Sequence, residues 1–380
     1  MKKNNNLPDN STNAFIRRGL LAAGLFAALA VLLTVLFDPF YHYHKPWFSL
    51  RPVLTDKEYQ VIGTLRHFDY DAVLVGSSVV ENNDNSWFDA LFECRTVKAV
   101  RSYGGIADLC WYANEAFDAG QKKGAVIRKV FFNLDPTALI ADASTTFEAS
   151  GCPMYLYDRN PFNDVSYLLN KTVLFEKIPY MIAQNRSGYN PDLSYNWAEG
   201  KDFSREGVLS HYFRHKQETM LEPDAFEENV RENAELLTQL IAKNPQTQFY
   251  FFLPPYSVVW WDSAVRSGER DAFLYAQERV LSQILAFDNV EVYDFQTDEE
   301  IISDLDNYMD PIHFTPQINA YMAQTMAGES TGGAEPLHRV RAQDVKALME
   351  RTARLSDGWI ERYIGSLDRQ GLINYYPEEE

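Results

Sequence analysis

Cysteine is scarce in this chain, with only Cys94, Cys110 and Cys152 among 380 residues. An odd count without a C-x-x-C spacing writes neither a disulfide framework nor a zinc or other metal site; each reads as a small buried apolar residue, although one pair could close. Positive charge is also short. Lys and Arg number 35 against 53 Asp and Glu, for a formal charge of −18, and this argues against nucleic acid or any polyanion as a partner, because phosphate contact needs clustered cations. A substrate is then expected to be neutral or cationic at its reacting end. Repeats, collagen-like periodicity and low-complexity tracts are missing, which leaves a globular chain.

One long apolar run is present. Gly19 to Phe37 (GLLAAGLFAALAVLLTVLF) carries no charge and approaches the ~20 residues a helix needs to cross a ~30 Å hydrocarbon core. Lys2, Lys3, Arg17 and Arg18 precede it, so the positive-inside bias keeps residues 1–18 cytoplasmic and sends everything after Phe37 outside the cell membrane. A cleaved signal peptide is the competing reading. Against it, Ala27, Ala28 and Ala30 lie in mid-run, and bulky FDPFYHYH stands where a cleavage site would be. Tyr41, Tyr43, Trp47 and Phe48 are expected as an interfacial aromatic belt. His42 and His44 have no third ligand nearby for a metal clip.

Beyond the anchor, apolar runs alternate with helical stretches. AVLVGSS (72–78), VKAV (97–100), KVFFNLD (129–135), QFYFFLP (248–254) and VEVYDF (290–295) read as five strands of a three-layer, doubly wound parallel sheet, an α/β fold. The whole chain is 46% hydrophobic and 14% aromatic, and residues 38–329 should bury the core of one large domain. Residues 136–221 are too long for a connection and resemble a folded insertion over the sheet edge. STGGAEP (330–336) looks like a flexible joint to a C-terminal helical extension, 330–380, whose stretch 342–367 is amphipathic and whose final PEEE is solvated charge.

Ligands in such folds gather at the carboxyl ends of the strands, and three of those ends carry chemistry. Gly76-Ser77-Ser78 is a G-x-S turn after the first strand, a pattern expected about once or twice by chance in a chain of this size. Tyr103-Gly104-Gly105 follows the second, where a glycine lets a backbone N–H approach an oxyanion. Asp310-Pro311-Ile312-His313 follows the fifth, with Asp and His three apart on one face of a turn, so that the carboxylate can orient the imidazole. Each has a structural alternative: helix capping for the serines, turn chemistry for the glycines, and a stabilised last turn for the Asp–His pair. Trp260 and Trp261 could stack on sugar rings or fill the core.

From Asp38 to about Ala327 the chain resembles the SGNH or GDSL-like hydrolases, in a membrane-anchored bacterial branch akin to proteins of teichoic-acid D-alanylation and alginate O-acetylation. The likeness rests on DPFYHYHKP, RHFDYDAVLVGSSVVEN and DLDNYMDPIHFTP. It implies a flavodoxin-like sheet, Ser78 as nucleophile, His313 as base, Asp310 as its orienting acid, and Gly104 or Gly105 at the oxyanion. Many members carry a G-x-N-D element after strand three whose Asn donates to the oxyanion. Here the stretch reads Phe132-Asn133-Leu134-Asp135, so Asn133 would serve only through a small register shift, and an Asn at a strand end often satisfies local backbone instead. The resemblance further implies an esterase or O-acyltransferase working on an envelope glycan or acylated polymer, without a cofactor, beside a multi-spanning acyltransferase partner. The alternative is a catalytically degenerate member that binds glycan or scaffolds a surface complex.

Overall fold

A computed structural model describes residues 10–376; Lys2, Lys3 and the terminal PEEE lie outside the described residues. Five strands are parallel: β1 (Ala72–Gly76), β2 (Thr96–Val100), β3 (Lys129–Asn133), β4 (Gln248–Leu253) and β5 (Val290–Asp294). They lie in the order β2-β1-β3-β4-β5, and a sixth, β6 (Arg339–Val340), joins antiparallel beside β5. Winding therefore reverses at β1. Right-handed crossovers then put the helix Asn85–Phe92 on the opposite face from the helices that follow β2 and β3. Accordingly Asn85–Phe92 packs with Pro316–Ser330, while Lys57–His67, Ile106–Lys123, Glu227–Lys243 and Arg270–Ile284 pack in succession as a second layer. Every residue of β1 and β2 is buried, and alternate strand residues face opposite ways, so both faces of the sheet are covered.

The expected five strands all form, within a residue or two of the read bounds. The sixth was not foreseen, because two residues make no alternating pattern. It also shows how the C-terminal helical extension sits, with its apolar stripe packed into the core. Val340 pairs with Val292, and the helix Val345–Trp359, a single π turn and Gly365–Arg369 bury Val345, Met349, Trp359 and Ile364 in the common core. Trp261 is 0% and Trp260 9% exposed, and Trp260 stacks on Phe273, so the sugar-stacking reading fails and both rings are core. Cys94, Cys110 and Cys152 are buried and free.

One N-terminal helix, Asn10–Phe37, is long and apolar enough to cross a membrane, with a mean hydropathy of 2.7 over its apolar window. From Thr12 to Leu29 its residues are almost all exposed, and from Ala30 to Phe37 they are buried or half-buried apart from Leu32. The chain doubles back at once, with Asp38 and Tyr41 at φ +40° and +56°. The buried Asp38 carboxylate organises this turn by accepting the N–H groups of His42, Tyr43 and His44 and the Tyr167 hydroxyl. Gly63 lets the doubled-back strand lie flat, since a Cβ there would meet Phe40 O at 2.4 Å. Tyr41 is consequently core rather than belt, leaving Trp47 and Phe48 as the exposed aromatics of that group. His42 binds Asp164 (3.1 Å) and His44 binds backbone carbonyls while stacking on Trp47. Neither gathers further ligands, and among the described residues no cluster of three or more metal-binding side chains is found.

Candidate active site

At the carboxyl end of β1 the chain must turn within one residue. Gly76 makes this possible, since a Cβ there would sit 2.8 Å from both Asn133 Cβ and a Val80 methyl. Ser77 stays extended, and Ser78 opens a short 3-10 helix and lines the cavity described below. From the other side of the sheet's end comes a loop pinned by the Tyr308–Phe314 bridge and by Met309 N–H donating to His313 O. Ser257, just after β4, donates to Pro311 O through both its N–H and its hydroxyl (2.7 Å for the latter), and Tyr308 OH donates to Pro255 O. These buttresses hold the loop rigid.

The result joins residues 235 positions apart in sequence. Ser78 Oγ lies 2.8 Å from His313 Nε2, and His313 Nδ1 lies 2.6 Å from Asp310 Oδ2. Asp310 Oδ1 accepts the N–H groups of Ile312 and His313 at 3.0 and 2.9 Å. Burial pushes the Asp310 carboxyl up, but the hydrogen bond and charge of His313 together with the two N–H donors outweigh it and hold the group below its ordinary range. An ionised carboxylate fixes the proton on Nδ1, and Nε2 is then free to accept from the serine. The three residues that sequence placed at strand ends are thus brought into one chain of contacts.

The glycines are not. Gly104 N–H donates to Arg101 O (3.1 Å) and Gly105 N–H to Asp108 Oδ2 (3.3 Å). Both are buried and neither lines the cavity. The turn they close instead pushes Tyr103 outward at φ +55° and 93% exposure, an uncommon conformation for a bulky residue. Asn133 does not line the cavity either, but its amide is not used up locally. It is fully buried beside Gly76 and Ser77, its Oδ1 lies 3.4 Å from Ser77 Oγ, and its Nδ2 is a donor without a partner. Buried donors are rarely left open without a reason. Asp135 secures the same corner by accepting from Tyr256 OH (2.6 Å) and from Thr137.

Ser78 and His313 open onto a cavity of about 420 Å³ walled by Lys57, Glu81, Ser102, Tyr103, Trp197 and Lys201, among others. Sequence reading missed this wall. Lys57 Nζ sits 2.6 Å from both Glu81 Oε1 and Ser102 Oγ. Burial raises the Glu81 carboxyl, and Lys57 offsets this only in part. Asn82 Oδ1 accepts the N–H groups of Trp197 and Ala198, which sets the Trp197 ring edge-on to His313 at 5.1 Å. Lys98, in the middle of β2, reaches Glu81 O, Ser194 O and Asn196 Oδ1, and burial lowers its pKa to about 7. The available signal was the polar triple Glu81-Asn82-Asn83 directly behind the serine, and a lysine inside the apolar VKAV.

The chain matches no protein-family model, and a search of curated proteins finds no match. What the arrangement can do is therefore argued from its chemistry. A serine hydroxyl in contact with an imidazole that is itself oriented by a carboxylate is equipped for nucleophilic attack on an acyl carbonyl.

Proposed function

We propose that the chain is a membrane-tethered serine esterase or O-acyltransferase of the SGNH type, its flavodoxin-like domain on the outer side of the cell membrane, acting on an envelope glycan or acylated polymer. The observation that carries this reading is the Ser78–His313–Asp310 relay, with its 2.8 and 2.6 Å contacts, at the mouth of a cavity. His313 takes the Ser78 proton as the oxygen attacks an ester carbonyl, and returns it to the departing alcohol. The Ser78 N–H and Asn133 Nδ2 receive the developing oxyanion. Water then releases the acyl group, or an acceptor hydroxyl carries it away. Tethering favours the acceptor, because it keeps the site beside a membrane-bound or wall-bound polymer at high effective concentration. A multi-spanning acyltransferase that feeds the site is part of the same reading.

The test uses the full chain in detergent micelles or nanodiscs, since Asp38, Phe40 and Tyr41 belong to the core and a truncation beyond them would cut into it. Release of alcohol from an activated acetyl ester is followed with and without a polyol acceptor. Turnover lost in Ser78→Ala supports the reading, and acetylated polyol among the products assigns transfer. Release no faster than in the absence of protein, in wild type and Ser78→Ala alike, would leave a binding or scaffold protein.

A further inference from the structure

The insertion does two things at once. Its segment 195–201 walls the catalytic cavity, and its helices Val165–Leu168 and Val173–Lys177 pack on the N-terminal helix. The second contact is specific. Thr34 Oγ1 donates to Leu168 O, and Tyr167 OH donates to Asp38. Around it the insertion leaves large apolar side chains bare: Phe162 is 90%, Phe175 68%, Val165 55% and Leu169 45% exposed, with Phe48 at 70% and Trp47 at 45% just past the helix. Elsewhere a folded chain covers such groups or keeps them scattered.

Helix geometry gives the depth of this patch. From Arg18 to Phe37 are nineteen steps, or about 28 Å at ~1.5 Å each, close to the ~30 Å of a hydrocarbon core. With the arginines at the cytoplasmic boundary, Phe37 stands at the outer one, and Thr34 lies roughly 5 Å inside it. A carbonyl that meets Thr34 is at the same level. Were the docked turns Ala30–Phe37 lifted clear of the lipid, Arg18 to Ala30 would leave only about 18 Å to span, too little for the core. The exposed charges Lys171 and Glu176 beside the patch limit it to the headgroup–acyl boundary, where aromatic and long charged side chains coexist.

We infer that the insertion is a second, monotopic membrane contact: Phe162, Val165, Leu169 and Phe175 enter the interfacial layer of the outer leaflet beside the span. This rests on the reading of Asn10–Phe37 as a transmembrane helix. The continuity of the patch with that helix names lipid as the occupant. It also fixes the orientation of the domain, because the segment that lies on the bilayer continues into the cavity wall. The acyl donor or acceptor is then met at the membrane surface.

The test is depth-dependent quenching in the full chain reconstituted in nanodiscs. Phe162→Cys and Phe175→Cys carry an environment-sensitive fluorophore. Leu25→Cys serves as the mid-span reference, and Leu337→Cys, 75% exposed beside β6 at the far sheet edge, as the aqueous one. The native cysteines are buried. The expected result is blue-shifted emission at 162 and 175, lost to lipids brominated high on the acyl chain and insensitive to iodide, with 337 showing the reverse. Quenching at 25 alone, with 162 and 175 open to iodide, would overturn the inference while leaving the span intact, and would return the patch to a protein partner. No lipid quenching at 25 would overturn both.

Discussion

Asp310→Asn is the sharpest perturbation of the relay. In the native chain Oδ1 holds two backbone N–H groups and Oδ2 holds His313 Nδ1 at 2.6 Å. The amide can keep the backbone bonds only with its oxygen toward Ile312 and His313, which turns its NH₂ toward the imidazole. Two donors cannot face each other, so the proton moves to Nε2, and Ser78 loses its acceptor. Geometry survives while the tautomer is wrong, a change worth about 10⁴ in kcat in a serine triad. Stability should fall by only about 1.5–3 kcal/mol, the scale of one charge-assisted hydrogen bond. The pH behaviour follows by sign. Because the folded-state carboxyl lies below its ordinary 3.8, its stabilisation is complete above that value and fades only as pH falls through the lower folded one. The wild type should therefore stay stable into mild acid, and the Asn variant should lose that acid-side dependence. Ester turnover, with thermal melts from pH 3 to 8, reads both. Retention of more than about a tenth of wild-type turnover in a well-folded variant would refute the reasoning.

Three other outcomes are expected. Gly76→Ala forces its Cβ into Asn133 and Val80 and should cost about 1–3 kcal/mol by overpacking, with turnover reduced as Ser78 shifts; a melt unchanged from wild type would contradict the close approach. Asn133→Ala removes the unpartnered donor and should lower kcat about 10²–10³-fold with KM little changed, whereas a KM effect alone would assign Asn133 to ground-state binding. Lys98, with its pKa lowered to about 7, binds fewer protons folded than unfolded between there and its ordinary 10.5, so it makes stability rise with pH in that window. Melts of Lys98→Met between pH 7 and 9.5 should show a flatter rise than wild type, and an identical slope would sink the assignment.

The main strands were legible because parallel strands covered on both faces read as continuous apolar runs, as in AVLVG and QFYFFL. β6 was not, since its two residues owe their place to tertiary pairing with β5. The Asp310–His313 pair was visible as local pattern within one short loop, whereas the choice of Ser78 over Ser77 rested on the resemblance to SGNH hydrolases and not on spacing. The glycine donors failed for a local reason as well. In Arg101–Gly105 the turn closes on itself, and the side chain of Asp108 takes the N–H that spacing seemed to free. The charged cavity wall escaped notice because it is assembled from four distant stretches around Lys57, Glu81, Ser102 and Asn196, with Lys98 buried behind it. A buried lysine inside a strand announces such a polar network but does not name its partners.

Covalent capture tests the central claim most directly. The full chain in micelles is exposed to a serine-directed fluorophosphonate and read by intact mass and by peptide mapping, with Ser78→Ala and His313→Ala alongside. The account predicts one adduct, on Ser78, absent from the first variant and nearly absent from the second. A folded wild type that takes no adduct, or an adduct that persists in Ser78→Ala, would contradict it.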